Sequence, residues 1–565
     1  MELNWQILDN HDPEKIQRFV QDLNSSPILA KILLNRGIED IESARKFFKP
    51  QLDHLHDPYQ MAGMPDAVAR IEAALAQKQK ILVYGDYDVD GTTATAMLLR
   101  FFKNLNHPAD FYVPDRLLEG YGISEKGIRY AKENGYELII SVDCGITAIK
   151  EIELARALGI DVIVCDHHQP GDQLPPAVAV LNPKRSDCRY PFKELAGVGV
   201  TFKLIQALHS HFKLDETILL KLLELVAVGS AADIVPLVDE NRIFVKFGLQ
   251  NLCATENLGL RALLEVTGIQ NVEIGTGQVV FIIAPRINAV GRLGDAGRAV
   301  HLLTTDSEQQ AKNIAAILES ENRLRRNIDE ETFAEVVEII EKNFDLQNDK
   351  VLVLDKEGWH PGVIGIVASR VVEKYYRPTI MIATEDGRGK GSARSITGFN
   401  IYEALKQCGE HMLGFGGHKY AAGLSIESDN IPAFRESLNK MAREHLTDEM
   451  LVPKLMIDCE VHFNELIGDF LKLLNRMAPF GPQNMRPVFL STDLQIVGTP
   501  TVVGKNHLKF KVRQDGIVMD AIGFDLGDLS YRIAPGERGV QMVYVIEENE
   551  WEGRKTLQLR VKDLR

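Results

Sequence analysis

With 565 residues the chain is too long for one compact core and implies roughly three or four units at about 150 residues each. Hydrophobic residues at 45% and charged residues at 25% exclude pervasive disorder, and no apolar run is long enough to span a bilayer. A formal net charge of −15 excludes a protein coated by nucleic acid over its whole surface, while leaving room for a local basic channel.

Residues 1–50 mix short helical patterns with polar turns, carry no chemical motif, and read as a packing extension. The opening Met1-Glu2-Leu3-Asn4-Trp5-Gln6 lacks the basic and apolar regions of a signal peptide, so a cytoplasmic protein with no membrane partner is expected. The cysteines at 144, 165, 188, 253, 408 and 459 show no Cys-x-x-Cys spacing and are expected to be reduced thiols.

From about Lys78 strands and helices alternate: strand Ile81–Val83, helix Thr92–Lys103, strand Phe111–Val113, helix Ser124–Asn134, strand Leu138–Val142, helix Thr147–Leu158, strand Val162–Cys165. Such a series predicts a parallel sheet, whose ligands sit beyond the carboxyl ends of its strands. Those ends are acidic. Asp86, Asp88 and Asp90 follow the first strand, Asp143 follows Val142, and Asp166-His167-His168 follow Cys165. Carboxylates crowded on one rim repel one another and resist desolvation, which makes physical sense when divalent cations neutralise them. Hard oxygen ligands with imidazole fit two Mn²⁺ or Mg²⁺ ions. Further on, Asp233 follows an apolar helical stretch, Leu219–Val228, in Ala-Ala-Asp-Ile-Val-Pro; spacing alone does not bring it to the rim.

Gly85-Asp86-Tyr87-Asp88-Val89-Asp90-Gly91, Asp143 in Val-Asp-Cys-Gly, Asp166-His167-His168 and Asp233 resemble the four ordered motifs of the DHH phosphoesterase family. Asn182-Pro183, Gly197-Val198-Gly199-Val200 and Ala284-Pro285-Arg286-Ile287-Asn288-Ala289-Val290-Gly291-Arg292 resemble its single-strand-specific exonuclease branch. The resemblance runs nearly the whole length. It implies Asp88, Asp90, Asp143, His167 and Asp233 as ligands of a two-metal site, with Asp86, Asp166 and His168 on the catalytic side, behind the ligands or facing phosphate. Many members carry His four residues before the central Asp; here that position is Tyr84.

A helical pattern from Thr305 to Asn343 opens on Thr305-Asp306-Ser307-Glu308, which has the form of a capping box, and predicts a strut of about 50–60 Å. Its polar cluster at 322–326 is left open between a solvated face and a nucleic-acid contact. Beyond it, strands Val351–Leu354 and Thr379–Ile382 with a helix near Gly365–Tyr375 announce a second α/β unit carrying Gly389-Lys390-Gly391-Ser392-Ala393-Arg394-Ser395 and Gly414-Phe415-Gly416-Gly417-His418. These motifs resemble the DHH-associated domain; by that resemblance Ser392 and Arg394 bind a terminal 5′ phosphate, and His418, after Gly416 and Gly417, the scissile phosphate or its neighbour. After Pro453 short strands (Val488–Leu490, Leu494–Val497, His507–Val512, Val518–Gly523, Val540–Ile546, Thr556–Val561) predict a small barrel resembling the family's oligonucleotide-binding domain. Lys505, His507, Lys509, Lys511 and Arg513 alternate on one strand face, with Phe510 turned to the core, and Lys509 and Lys511 become candidates for a single-strand track.

The expected fold class is α/β: a DHH catalytic domain (51–304) with a parallel sheet and a DHH-associated domain (346–450), joined by a long helix (305–345) and followed by an oligonucleotide-binding barrel (451–565). The expected function is a metal-dependent 5′→3′ exonuclease on single-stranded DNA, releasing 5′ mononucleotides in recombination and repair. Arg286, Asn288, Arg292 and Arg394 are placed on backbone phosphates, and Arg116 and Tyr121 at the cleft entrance. A monomer is expected, with a helicase and a single-strand-binding protein as partners. The alternatives are a phosphodiesterase for short oligonucleotides and a catalytically silent DNA-binding scaffold.

Overall fold

In the computed structural model, which describes residues 3–8, 11–116, 118–270, 272–466, 468–551 and 554–565, the strands expected after Lys78 form one parallel sheet. Its order is Asp110–Tyr112, Ile81–Gly85, Leu138–Val142, Asp161–Cys165 and Ala179–Leu181. The two central strands, Ile81–Gly85 and Leu138–Val142, are buried along their whole length, as apolar strands covered on both faces must be. Alternate residues serve opposite faces. Ile81, Val83, Ile140 and Val142 pack on one side with Met97 and Phe101 of helix Val89–Asn104; Leu82, Tyr84, Ile139 and Val164 pack on the other with Ile128 and Ile152. Gly85 is in register with Val142, and Val142 with Cys165, so Asp86, Asp143 and Asp166 emerge side by side. The short strand Ala179–Leu181 is not among the expected strands, although it lies in the apolar run Ala177-Val178-Ala179-Val180-Leu181 between prolines.

The connecting helix runs Glu308–Asn343, about 54 Å at 1.5 Å per residue. Its cap differs from expectation. Ser307, not Thr305, stands at the N-cap and accepts the Gln310 amide at 3.3 Å, while the Thr305 hydroxyl accepts the Ser307 amide at 3.1 Å. Ala311, Ala315 and Leu318 join the first core, whereas Val336 and Ile340 join the core of the second α/β unit, so the helix is packed at both ends. That unit is a five-stranded sheet ordered Gly414–His418, Ala421–Glu427, Arg388–Arg394, Thr379–Glu385 and Leu352–Glu357.

The C-terminal strands close into a barrel, with Phe489–Val503 pairing on one side with His507–Gln514 and on the other with Val540–Trp551. The expected strands Val488–Leu490 and Leu494–Val497 are one strand, Phe489–Val503, with an irregularity between Ser491 and Leu494 in its pairing with Val540–Trp551 that reads from sequence as a break. Residues of the N-terminal extension pack on this barrel, which is distant in sequence: Phe19, Ile32, Leu33 and Phe47 share its core, and Asn4–Ile7 pairs in parallel with Lys454–Ile457. Among the described residues no helix is long and apolar enough to cross a membrane.

Candidate active site

Each acidic residue at the rim is held by its own local device. Asp88 caps helix Val89–Asn104, accepting the Gly91 amide at 3.0 Å. Gly91 is glycine because a Cβ there would lie 2.6 Å from the Asp86 carbonyl oxygen. Asp90, in the first turn, turns both oxygens to the start of a second helix, Gly197–Phe212, accepting the Gly197 amide at 2.6 Å and the Val198 amide at 2.8 Å. Asp143 takes a left-handed backbone, φ 61°, as its amide donates to the Cys165 carbonyl at 2.8 Å. Asp233 follows the last turn of helix Thr217–Ala232.

Three of these carboxylates converge on His167. Its Nε2 lies 3.3 Å from Asp143 Oδ1, 3.6 Å from Asp233 Oδ2 and 3.9 Å from Asp90 Oδ2. Potential ligand atoms fall within 4.8 Å of one another in three sets: Asp90, His167 and Asp233; Asp143, His167 and His168; Asp86, Asp88 and Asp143. Behind them Asp166 Oδ1 contacts His168 Nδ1 at 2.7 Å and accepts the amides of His167 at 2.7 Å and His168 at 3.0 Å, while Oδ2 accepts the Ile146 amide at 2.9 Å. Asn182, of the Asn-Pro motif, donates to the His168 carbonyl at 2.9 Å.

The electrostatics separate two kinds of carboxylate. Burial, then the neighbouring carboxylates, push Asp86, Asp143 and Asp233 well above the usual range, and burial with Asp88 raises Asp90 to about 7. Asp166 moves the other way, to about 2, because the hydrogen bonds and charge of His168, together with backbone amides, outweigh its burial. Burial, then the charge of His168, holds His167 down at about 3, leaving a neutral imidazole with a lone pair to offer. Asp86 Oδ1 and Asp143 Oδ1 are buried without a hydrogen-bond donor. Orphaned carboxylate oxygens beside a neutral imidazole are the donor set that hard divalent cations require, so the residues present fit Mn²⁺ or Mg²⁺.

Next to this acidic rim lies a cationic cleft of about 570 Å³, lined by Arg116, Lys390, Ser392, Arg394, Gly416 and Gly417 among others. Arg394 Nη1 donates to Ser392 Oγ at 3.1 Å and to the Ala393 carbonyl at 2.8 Å. Gly365 leaves them room, since its Cβ would lie 2.8 Å from Ser392 Oγ. The Arg116 guanidinium sits 5.0 Å over the Tyr87 ring. Burial, then the charges of Arg116, Arg325 and Arg394, bring Arg292 down to about 10. Guanidiniums crowded against one another in this way form a site for an anion.

Residues 80–230 match the DHH family, N-terminal domain; residues 348–444 match the DHHA1 domain; residues 457–563 match the RecJ OB domain. The chain is 40% identical to the single-stranded-DNA-specific exonuclease RecJ of Bacillus subtilis (strain 168) over 564 residues, covering 99% of this chain and 70% of that one. It is 35% identical to the protein of the same name from Escherichia coli (strain K12), covering 95% of this chain and 96% of the relative. The chain belongs to the RecJ family. A crystal structure of RecJ in complex with Mn²⁺ from Thermus thermophilus superposes with a TM-score of 0.85 at 31% identity, covering 100% of this chain and 79% of that one.

Within this RecJ-family fold the other residues singled out in the sequence fall at different distances from the cleft. Tyr121, 53% exposed, donates its hydroxyl to the Asp143 carbonyl at 3.0 Å and lies 3.1 Å from His168 Nδ1. Arg292 donates to the Gly362 carbonyl at 3.0 Å, and Asn288 is half-buried on the same helix, Ala284–Leu293. Arg286 donates through Nε to Glu319 and through Nη1 to the Ile282 carbonyl, both at 2.6 Å, which ties it to the connecting helix. His418 is exposed at the end of edge strand Gly414–His418. Lys509 and Lys511 point outward as expected, with Phe510 in the core, but Lys511 is partnered by Asp520 at 3.4 Å.

Tyr84 turns away from the rim. It is fully buried, and its hydroxyl oxygen accepts the Ser124 amide at 3.1 Å. Lys390, which lines the cleft, and Arg325, whose charge acts on Arg292, are not among the expected site residues. Lys390 shares its strand face with Ser392 and Arg394 at period two, a signal that was available. Arg325 was not separable from Arg323, which pairs with Glu319 at 2.7 Å on the helix surface; Arg325 bonds Asn322 at 3.1 Å, and its charge reaches Arg292.

Proposed function

We propose that this protein is a single-stranded-DNA-specific exonuclease that releases mononucleotides from the 5′ end by two-metal phosphodiester hydrolysis, in recombination and repair. The observation that carries the reading is the juxtaposition of a carboxylate cluster gathered around His167 with a guanidinium cleft beside it. The first suits cations and the second suits phosphate.

Asp88, Asp90, Asp143, His167 and Asp233 would hold two Mn²⁺ or Mg²⁺ ions, the metals named for the Thermus thermophilus structures. When bound, such ions lower the pKa of an attacking water and offset charge on the scissile phosphate and the departing 3′ oxygen. Asp86 adds its unpaired Oδ1 to the rim. Asp166 orients His168 through the 2.7 Å contact, and the carboxylate's support outweighs burial to keep the ring's proton affinity high, so His168 can donate to a phosphate oxygen. Arg116, Ser392 and Arg394 would hold the terminal 5′ phosphate in the cleft that Lys390, Gly416 and Gly417 also line, and Arg292, near Arg116 and Arg394, would hold a backbone phosphate. His418 would reach the scissile phosphate or its neighbour, and Lys509 would track the strand on the barrel.

The division at 51–304, 305–345, 346–450 and 451–565 belongs to this reading and is supported by separate cores for the two α/β units and the barrel. A monomer is the working unit we infer, because one chain carries every site residue named. Its substrate arises when duplex is unwound, so a helicase and a single-strand-binding protein are the partners, and the cytoplasm the compartment. The test is digestion of single-stranded DNA bearing a 5′ phosphate with Mn²⁺, Mg²⁺ or chelator, comparing the native chain with Asp143→Ala. Metal-dependent release of mononucleotides from the 5′ end, lost in the variant, is expected; DNA bound but intact under every metal overturns the reading.

A further inference from the structure

The turn 476–485, between the last helix before the barrel and its first long strand, is seated on the catalytic unit with unusual thoroughness. Arg242, 3% exposed, spends its guanidinium on main-chain carbonyls: Phe47 at 3.0 Å, Met477 at 2.9 Å, Ala478 at 3.0 Å, Pro479 at 3.3 Å and Arg476 at 3.4 Å. The same guanidinium lies 4.0 Å from the centre of the Phe47 ring. Among the described residues no carboxylate pairs with it. Asn484, fully buried, donates to the Met477 and Pro479 carbonyls, each at 2.8 Å, and its Oδ1 accepts Arg36 Nε at 3.2 Å. Thr276 Oγ1 donates to the Phe480 carbonyl at 2.6 Å.

What this turn supports is the loop that follows Asp233. Ile234 has φ 59°, a left-handed conformation that costs a β-branched residue energy and persists only where the surroundings enforce it. Three residues on, Leu237 is 1% exposed, and its amide donates to the Pro482 carbonyl at 2.8 Å. Its side chain fills the space a Cβ on Gly481 would need: that Cβ would lie 2.5 Å from Leu237 Cδ1. The loop runs between helix Thr217–Ala232 and helix Asp239–Leu252, whose Asn241 donates to the Pro236 carbonyl at 3.0 Å, and the turn braces its middle through Leu237.

We propose that the 476–485 turn, held by Arg242 and seated on Leu237 at Gly481, is a positioning element for Asp233, so that the connector to the barrel completes the metal site as well as tethering a DNA-binding module. The inference rests on the reading of Asp233 as a metal ligand. A strained loop that lost this brace between its two helices would relax at Ile234 and shift the carboxylate from His167, 3.6 Å distant. Support behind a ligand is worth roughly ten- to a hundredfold in metal affinity.

The test measures Mn²⁺ affinity of the full chain from the electron paramagnetic resonance of free Mn²⁺, alongside binding of a long single strand in chelator. Gly481→Val is expected to weaken Mn²⁺ binding roughly tenfold while leaving strand affinity unchanged, and adding Leu237→Ala to relieve the clash is expected to restore it. Weakened strand binding with unchanged Mn²⁺ affinity would overturn the proposal and leave the turn a tether. Should Gly481→Val fail to fold, Thr276→Val decides the same question, with an expected loss of about fivefold for one hydrogen bond. Asp233→Asn reports separately: unchanged Mn²⁺ affinity there removes the underlying reading, whatever the turn variants do.

Discussion

The Asp90 carboxylate accepts the Gly197 amide at 2.6 Å, and the Cβ that Gly197 lacks would stand 2.5 Å from Asp143 Oδ1. One glycine therefore lets a helix start hold one rim carboxylate while a second packs on its bare α-carbon. Gly197→Ala must displace Asp143 or the helix. A misplacement near 1 Å at such a site costs about a hundredfold in rate, so kcat on single-stranded DNA is expected to fall by that order while strand binding in chelator is retained; steady-state kinetics with a binding titration checks both.

Asp143 is held for its charge at the expense of stability. Its carboxyl is buried, raised well above the usual range and lacks a donor at Oδ1. Asp143→Asn removes the repulsion without changing shape. In chelator the variant is expected to melt a few degrees higher, about 1–2 kcal/mol of relief, yet to be inactive and to gain nothing from added Mn²⁺. Calorimetry with and without metal separates these effects.

The pH dependence differs in sign between Asp90 and Asp166. Asp90, raised to about 7 from 3.8, favours the folded state fully below its unfolded value, and that contribution is lost as pH rises toward 7. Asp166, lowered to about 2, contributes stability above 3.8 that is lost as pH falls toward 2. The metal-free chain is expected to become more heat-stable from pH 7 to pH 5 through Asp90 and less so below pH 4 through Asp166. With saturating Mn²⁺ the first trend reverses, because protons compete with the metal for the same carboxylates. Melting curves across that range, with and without Mn²⁺, are the measurement.

Arg394 and Ser392 form a unit, 3.1 Å apart, at the wall of the cleft. A charge-assisted contact to phosphate is worth about 1.5–3 kcal/mol, so Arg394→Ala is expected to raise KM for a 5′-phosphorylated strand roughly ten- to a hundredfold. A strand ending in 5′ hydroxyl should lose far less. Arg394→Lys should rescue poorly, since a point charge cannot reproduce the planar fork.

On the barrel, Lys511 already has Asp520 at 3.4 Å, whereas Lys509, on the same exposed strand face, has no acidic partner among the described residues. Replacing Lys509 with Ala should therefore flatten the salt dependence of single-strand binding by about 0.7 in the log–log slope, one phosphate contact. Lys511→Ala should change it less. Binding titrations at several salt concentrations discriminate the two.

Local chemistry was legible in the amino-acid order alone. The apolar strands that end in Asp86, Asp143 and Asp166, the helix length of the strut, and the alternation of Lys509 and Lys511 about Phe510 are all written within a few residues of chain, where strand and helix periods govern which side chains share a face. Which distant groups meet was settled by the folded chain. Folding brought Asp233 to His167, paired Arg286 with Glu319 on the connecting helix, and turned Tyr84 onto the Ser124 amide. It also laid the N-terminal helices on a barrel more than four hundred residues away, as in the Arg36 to Asp458 ion pair at 2.9 Å. Burial patterns state that a face must be covered, but not by what; the partner is chosen by the path of the whole chain, through contacts between residues far apart in sequence.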